Sequence, residues 1–222
     1  MSGASHALIA GTAVGCGLAL APWLARTTVR LITRDRSALP SGRRVLLARV
    51  LLAAALGAAV TVAGVRPAAV GFVWVAAAGL VLGAVDLAVH RLPDRVTYPA
   101  VAVCAAAFAV DAVVLGTWSA LLRALLAAAV AFGVAALAAS VWPAGLGFGD
   151  VKLLALIGLV LGWVGWQTLA TGIFLGLLTG ALFAVALLVT GRAGWRTALP
   201  FGPPLLVGAV LALAVHGPLA LG

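Results

Sequence analysis

Runs of apolar residues, broken by short clusters of arginine, proline or glycine, repeat along the whole chain. A membrane-spanning helix needs about 20 predominantly apolar residues. The pattern predicts eight, at 5–25, 45–65, 68–88, 96–115, 119–140, 151–165, 167–189 and 201–220. The sixth run is the shortest. Gly162, Trp163, Gly165, Trp166 and Gln167 after it read as a tight turn with aromatic interface anchors, although 151–189 also fits one span followed by a re-entrant piece. The first run ends at Arg26 and has no charged stretch before it. Cleavage after Ala21 would place Pro22 beside the cut, so the run reads as an uncleaved anchor rather than a signal peptide. The predicted fold class is all-α: a polytopic membrane helix bundle of about eight transmembrane helices, forming a single integral membrane domain over 1–222.

Composition agrees. Residues of the set AVILMFWYC make up 65% of the 222 positions and charged residues 9%, whereas soluble domains are about half apolar and a quarter charged. Eight spans occupy about 160 positions, which leaves no room for a separate soluble domain. The net charge of +9 comes from thirteen Arg and one Lys set against five Asp and no Glu. A basic nucleic-acid footprint would be clustered on a soluble face with base-reading motifs. Here the arginines lie in short loops, so no nucleic-acid partner is expected and the bilayer itself is the surrounding partner.

The loop charges set an orientation. Arg26, Arg30, Arg34, Arg36, Arg43, Arg44 and Arg49 fall in a basic loop at 26–49, Arg91 and Arg95 in the loop near 90, Lys152 after the loop near 145, and Arg192 and Arg196 in the loop near 195. With eight spans these twelve of the fourteen positive charges share one side; only Arg66 and Arg123 fall opposite. The positive-inside rule makes the shared side cytoplasmic and both termini extracytoplasmic. A different number of spans before residue 140 would scatter the charges. Cys16 and Cys104 stand alone in apolar runs, and His6, His90 and His216 have no ligand spacing. Neither a disulfide framework, a metal site nor a cofactor is expected.

With so few carboxylates, each is weighed separately. An Asp at the centre of a spanning helix costs about 2.5–3.5 kcal/mol on insertion scales and is by default a functional candidate. Asp86 lies at the cytoplasmic end of the third run, and Asp150 opens the sixth at the same membrane face. Asp94 follows a short Arg91-Leu92-Pro93 turn and reads equally as a solvated or helix-capping aspartate or as a functional one. Asp35, among arginines, reads as a surface charge. Asp111 is deeper in the fourth run and reads as an interhelical or snorkelling group.

The segment Gly145-Leu146-Gly147-Phe148-Gly149-Asp150-Val151-Lys152 is the most informative. A dinucleotide fingerprint would need a strand before it, and the pattern supplies none. Gly147 and Gly149 allow positive φ and leave the backbone bare, so an extended substrate strand has room beside Asp150. Lys152 suits a lipid phosphate or a neighbouring carboxylate. A glycine-rich turn before a helix with a capping Asp is the structural alternative. Gly-Leu-Val-Leu-Gly occurs twice, at 79–83 and 158–162, and Gly172, Gly176 and Gly180 repeat at helical spacing. Small residues of this kind let membrane helices approach closely; the two pentapeptides fit either mutual packing of the third and sixth runs or plain glycine-rich composition.

Three stretches, in order, resemble the type IV prepilin peptidases, polytopic aspartic proteases with the GxGD motif that preflagellin peptidases and presenilin share. They are Asp86 with the following Leu92-Pro93-Asp94 and Thr97-Tyr98-Pro99, then Gly147-Phe148-Gly149-Asp150-Val151-Lys152-Leu153, then Pro200-Phe201-Gly202-Pro203. The likeness covers a peptidase-like core at about 68–210. It implies an aspartic endopeptidase of the cytoplasmic membrane in which Asp86 and Asp150 are the catalytic pair. Gly147, Gly149, Lys152 and Asp94 would shape the loop, with Pro200 and Gly202 near the site and prepilin or pilin-like precursors as substrates. Members that also methylate the new N-terminus carry an insertion with paired CxxC motifs. The 26–49 loop has no cysteine, so the chain resembles the short, peptidase-only form.

Such a pair acts as base and acid around one water. Two unit charges about 4 Å apart repel by about 4 kcal/mol at an effective dielectric near 20, enough for the pair to keep one shared proton at neutral pH. Other readings are a preflagellin-type or other intramembrane GxGD protease, and a small transporter relaying protons through Asp86, Asp111 and Asp150.

The orientation is testable with reporter fusions. A reporter active only in the cytoplasm should work when joined after residue 92 and fail after residue 116, and one active only outside should show the reverse. The same result at both positions would refute the alternation.

Overall fold

A computed structural model describes residues 3–35, 37–64, 66–141, 146–191 and 200–216. Eight helices form among them: α1 (Gly3–Thr33), α2 (Gly42–Ala63), α3 (Ala68–Val89), α4 (Asp94–Leu115), α5 (Trp118–Val141), α6 (Phe148–Val164), α7 (Trp166–Val189) and α8 (Gly202–His216). No strand occurs among the described residues. In hydrocarbon a backbone must satisfy its own N–H and C=O groups, which helices do within one segment. Helices α3, α4, α5 and α7 are each long and apolar enough to cross a membrane, and α8 is a shorter apolar helix. This is the architecture of a multi-pass helical membrane protein. Residues 151–189 form two helices parted at Gly165, whose extended backbone (φ 171, ψ 162) ends α6 and starts α7.

The basic stretch expected as a loop over 26–49 is mostly helix. Helix α1 carries Arg26 and Arg30 to its end at Thr33, and α2 begins at Gly42 with Arg43 and Arg44 in its first turn. Only 34–41 connects them, and Arg36 lies outside the described residues. The physical reason is length. The 31 residues of α1 span about 46 Å at 1.5 Å per residue, well beyond a hydrocarbon layer of about 30 Å. Exposed arginines on the surplus turns can extend to water without unwinding the helix. Within the connection, Asp35 Oδ1 accepts hydrogen bonds from the Ser37 hydroxyl (2.7 Å) and N–H (2.8 Å). The hydroxyl above all, then the N–H, hold its carboxyl below the usual range.

Internal contacts group the chain into two units: Met1–Val89 with Pro93–Thr117, and His90–Leu92 with Trp118–Gly222. In the first unit, Ala21 and Leu24 of α1, Leu52 and Leu56 of α2, and Val81 and Val85 of α3 form a buried cluster. Helices α3 and α4 meet through the Phe72 and Phe108 rings, 5.6 Å apart. Gly71 permits that approach, because a β-carbon there would stand 3.3 Å from the Cys104 Cα. Helix α3 ends on His90, whose φ of 52° places a non-glycine residue in the left-handed region.

In the second unit α6 is the central helix. Its sequence is apolar on every side, and Leu156 through Val164 are all buried, as expected of a core helix. The second pentapeptide packs on α5: a β-carbon on Gly158 would lie 2.7 Å from the Ala127 carbonyl oxygen, and one on Gly162 would collide with the Ala127 side chain. Gly176 and Gly180 face the start of α8 through Leu205, Pro204 and the preceding Phe201, while a β-carbon on Gly172 would overlap Leu161 of α6 and meet Ala212 of α8. At Gly208 the approach is backbone to backbone, and any β-carbon would overlap the Gly176 amide nitrogen.

Gly208→Ala should therefore part α7 from α8 and cost about 1–3 kcal/mol. Gly133→Ala on α5, where a β-carbon meets nothing within 4 Å, should be neutral or stabilising by up to about 1 kcal/mol. Thermal melts of the two variants in one detergent would check the contrast, and equal melting temperatures would refute the packing.

Candidate active site

The glycine–aspartate motif forms the start of the core helix of the second unit. Gly145 lies outside the described residues; Gly147 is the N-cap of α6, exposed and extended at φ −72° and ψ 149°. Asp150 is the third helical residue, and its N–H donates to the Gly147 carbonyl at 3.0 Å. A carboxylate in a first turn is favoured by the positive end of the helix, by about 0.3–1 kcal/mol. The side chain turns back toward the cap, since a β-carbon on Gly147 would stand 3.4 Å from Asp150 Oδ2. Asp150 is partly exposed. Lys152 Nζ lies 5.0 Å from the centre of the Phe148 ring, at cation–π distance.

Neither glycine uses the positive φ expected of it. Gly147 has ordinary extended geometry, and Gly149 is helical. What Gly149 supplies is space. A β-carbon there would stand 3.1 Å from Leu92 Cβ and 3.3 Å from Leu92 Cδ1, closer than such atoms normally pack. Leu92 belongs to the Leu-Pro-Asp stretch, so the structure joins two motifs that sequence spacing alone leaves unconnected.

Asp86 sits in the last turn of α3, 5% exposed, next to the buried Val85. Asp94 is the first residue of α4 and is exposed, while Pro93 rather than Asp94 holds the capping position. The Pro93 carbonyl accepts from the N–H groups of Val96 (2.9 Å) and Thr97 (3.1 Å), and Thr97 is buried. Pro200 immediately precedes Phe201, whose ring lies over Gly180 of α7. Gly202 opens α8 and is buried. Asp86 and Asp94 thus belong to the first unit, and Gly147, Gly149, Asp150, Lys152, Pro200 and Gly202 to the second. Among the described residues no group of three His, Cys, Asp or Glu side chains is placed to hold a metal ion.

Two arginines that the charge distribution set apart have defined partners. Arg66, between α2 and α3, donates through Nε to Asp111 Oδ2 at 2.8 Å and through Nη2 to Oδ1. Asp111, fully buried, also accepts from the Ala68 N–H (3.0 Å) at the start of α3 and from the Thr117 hydroxyl (2.8 Å). Arg123 of α5 donates to the carbonyls of Gly162 (2.8 Å) and Trp163 (2.6 Å), which are among the last four carbonyls of α6 that the helix itself leaves without partners. Neither pairing was visible in the sequence, where each arginine registered only as an exception to the loop-charge pattern.

Residues 72–185 match the model of the type IV leader peptidase family. The chain is 43% identical over 88 residues to the prepilin leader peptidase/N-methyltransferase of Bacillus subtilis, a stretch covering 40% of this chain and 34% of the relative. It is 31% identical over 181 residues to the protein of the same name from Burkholderia pseudomallei, covering 78% and 55%. With that of Pseudomonas aeruginosa the identity is 44% over 69 residues, covering 31% and 23%. The chain thus spans about half or less of the length of these relatives. No solved structure matches it.

Asp111→Asn should strip Arg66 of its counter-charge and cost about 3–5 kcal/mol, the range for breaking a buried pair from one side. Neutralising both partners in Arg66→Gln with Asp111→Asn should recover part of that loss. Melting temperatures of the three proteins would show it, and a double variant less stable than Asp111→Asn would refute the pairing.

Proposed function

The chain belongs to the type IV leader peptidase family, and from that membership we propose that it is a membrane aspartic endopeptidase that removes the leader peptide of prepilin or pilin-like precursors. Asp86 and Asp150 are the catalytic pair. The observation that carries this reading is the contrast among the carboxylates of the matched region. Asp150 lies partly exposed beside a bare glycine backbone, whereas Asp111 is sealed by three hydrogen-bonding partners. That saturation also argues against a proton relay through Asp111.

The peptidase core is 68–210, and the reaction takes place at the cytoplasmic face of the cytoplasmic membrane, with both chain termini outside. The pair holds one proton. The ionised carboxylate takes a proton from water, whose oxygen attacks the scissile carbonyl carbon, while the protonated carboxyl hydrogen-bonds the carbonyl oxygen and donates to it. The C–N bond then breaks as the departing amine takes the water-derived proton from the first carboxyl, while a hydroxyl of the diol returns its proton to the second. The pair ends with one proton as it began. No cofactor enters these steps. Gly147 keeps the approach to Asp150 open, Gly149 and Lys152 set the turn, and Asp94, Pro200 and Gly202 shape the neighbouring loops. The substrate's basic leader stays on the cytoplasmic side while its apolar helix lies in the bilayer. Residues 26–49 contain no cysteine, so peptide cleavage alone is assigned, without methyl transfer.

Asp86→Asn and Asp150→Asn should each lower cleavage of a co-expressed prepilin by at least about 100-fold, the lower range for loss of a general acid or base. Asp111→Asn, at matched membrane levels, should still cleave. Intact cleavage in either pair variant, or loss in Asp111→Asn alone, would overturn the assignment.

A further inference from the structure

The proposed chemistry uses Asp150 but says nothing of what fixes the turn that carries it. Three observations converge on Leu92. His90 turns the chain out of α3 in a left-handed conformation (φ 52°), which is unusual for a residue bearing a β-carbon. Two residues later, Leu92 lies on Gly149 with its Cβ and Cδ1 at 3.1 and 3.3 Å from where a β-carbon would be. His90–Leu92 also group with the second unit, although the residues on either side group with the first. The connection between α3 and α4 is thus seated on the first turn of α6, one residue before Asp150.

We infer that Leu92 is a positioning residue for Asp150: its side chain presses on the bare Cα of Gly149 and holds the first turn of α6 in the orientation that cleavage requires. The opposite end of the helix is held independently. Arg123 binds the Gly162 and Trp163 carbonyls, and Gly158 and Gly162 seat the C-terminal half of α6 on α5. With its far end fixed, the freedom left to α6 is at its first turn, where Leu92 sits. On this view the second glycine of the motif is required because a leucine from another motif occupies the space of its side chain. The inference rests on the proposed role of Asp150 in cleavage.

The test combines kinetics with a cross-link on the full chain in membranes. Leu92→Ala should lower kcat for a prepilin substrate about 10- to 100-fold, as a displacement of about 1 Å does in a reacting centre, and leave KM within about twofold. Leu92→Met, which conserves volume, should keep kcat within about threefold of the unaltered protein. Gly149→Ala should be impaired as well, because its β-carbon would stand 3.1 Å from Leu92 Cβ. In a background of Cys16→Ala and Cys104→Ala, the pair Leu92→Cys with Gly149→Cys should cross-link on mild oxidation, whether or not the protein cleaves.

Several results would overturn the inference. These are unchanged kcat in Leu92→Ala, equal impairment of Leu92→Ala and Leu92→Met, unimpaired cleavage by Gly149→Ala, or absence of the cross-link. If the unaltered protein does not cleave prepilin, the inference falls with the functional reading. The cross-link then separates the two failures: its formation faults the assigned reaction, and its absence faults the contact.

Discussion

An ionised side chain in hydrocarbon can bond only to the protein that carries it or to water at the membrane edge, and this constraint orders the charges of the molecule. Moving a carboxylate or guanidinium from water costs several kcal/mol even after relaxation, so each one away from the interface needs partners. Asp111 and Arg66 compensate one another, with the N-terminal amide of α3 and the Thr117 hydroxyl completing the set. Arg123 is compensated by the negative end of α6. The other described arginines are exposed, so their long side chains can reach water.

The same constraint makes α6 central to the proposed function. A helix buried on nearly every side has little tolerance for charge along its length, so a working carboxylate belongs at its end. Asp150 occupies that place, in a first turn where the helix dipole favours it. Close approach of α5 at Gly158 and Gly162, together with Arg123 at the far end, makes α6 a fixed support for that turn. Leu92 on Gly149 adds a contact at the end that carries Asp150. Packing and proposed chemistry are then two consequences of one helix: the glycines that let its neighbours approach also fix where its carboxylate stands.

Much of this was legible in the sequence because hydrocarbon enforces a coarse code. Runs of apolar residues mapped onto eight helices, with ends that mostly shifted by a few residues. The largest departure was at α1 and α2, where arginines read as loop but occur within helical turns. The aspartates were legible because they are few. Asp111 was set apart as an interhelical or snorkelling group, though its partner Arg66 was not identified. Through-space pairings stayed hidden: Arg66 is 45 residues from Asp111 and Arg123 is 39 from Gly162. The neighbour of Gly149 stayed hidden as well: sequence offers backbone freedom as the ordinary motive for a glycine, and the structure adds that Leu92 stands where its side chain would be.

Under the proposed function, Asp86 and Asp150 share one proton and divide the roles of base and acid. The most direct measurement is kcat/KM for prepilin cleavage as a function of pH, from about pH 4 to 9, which reports the ionisations of the free enzyme. The account predicts a bell. Activity should fall on the acid side as the pair takes up its second proton and loses its base, and on the alkaline side as it gives up its last proton and loses its acid. A profile that stays level through both limbs, or the same bell in a protein lacking the Asp150 carboxylate, would contradict it.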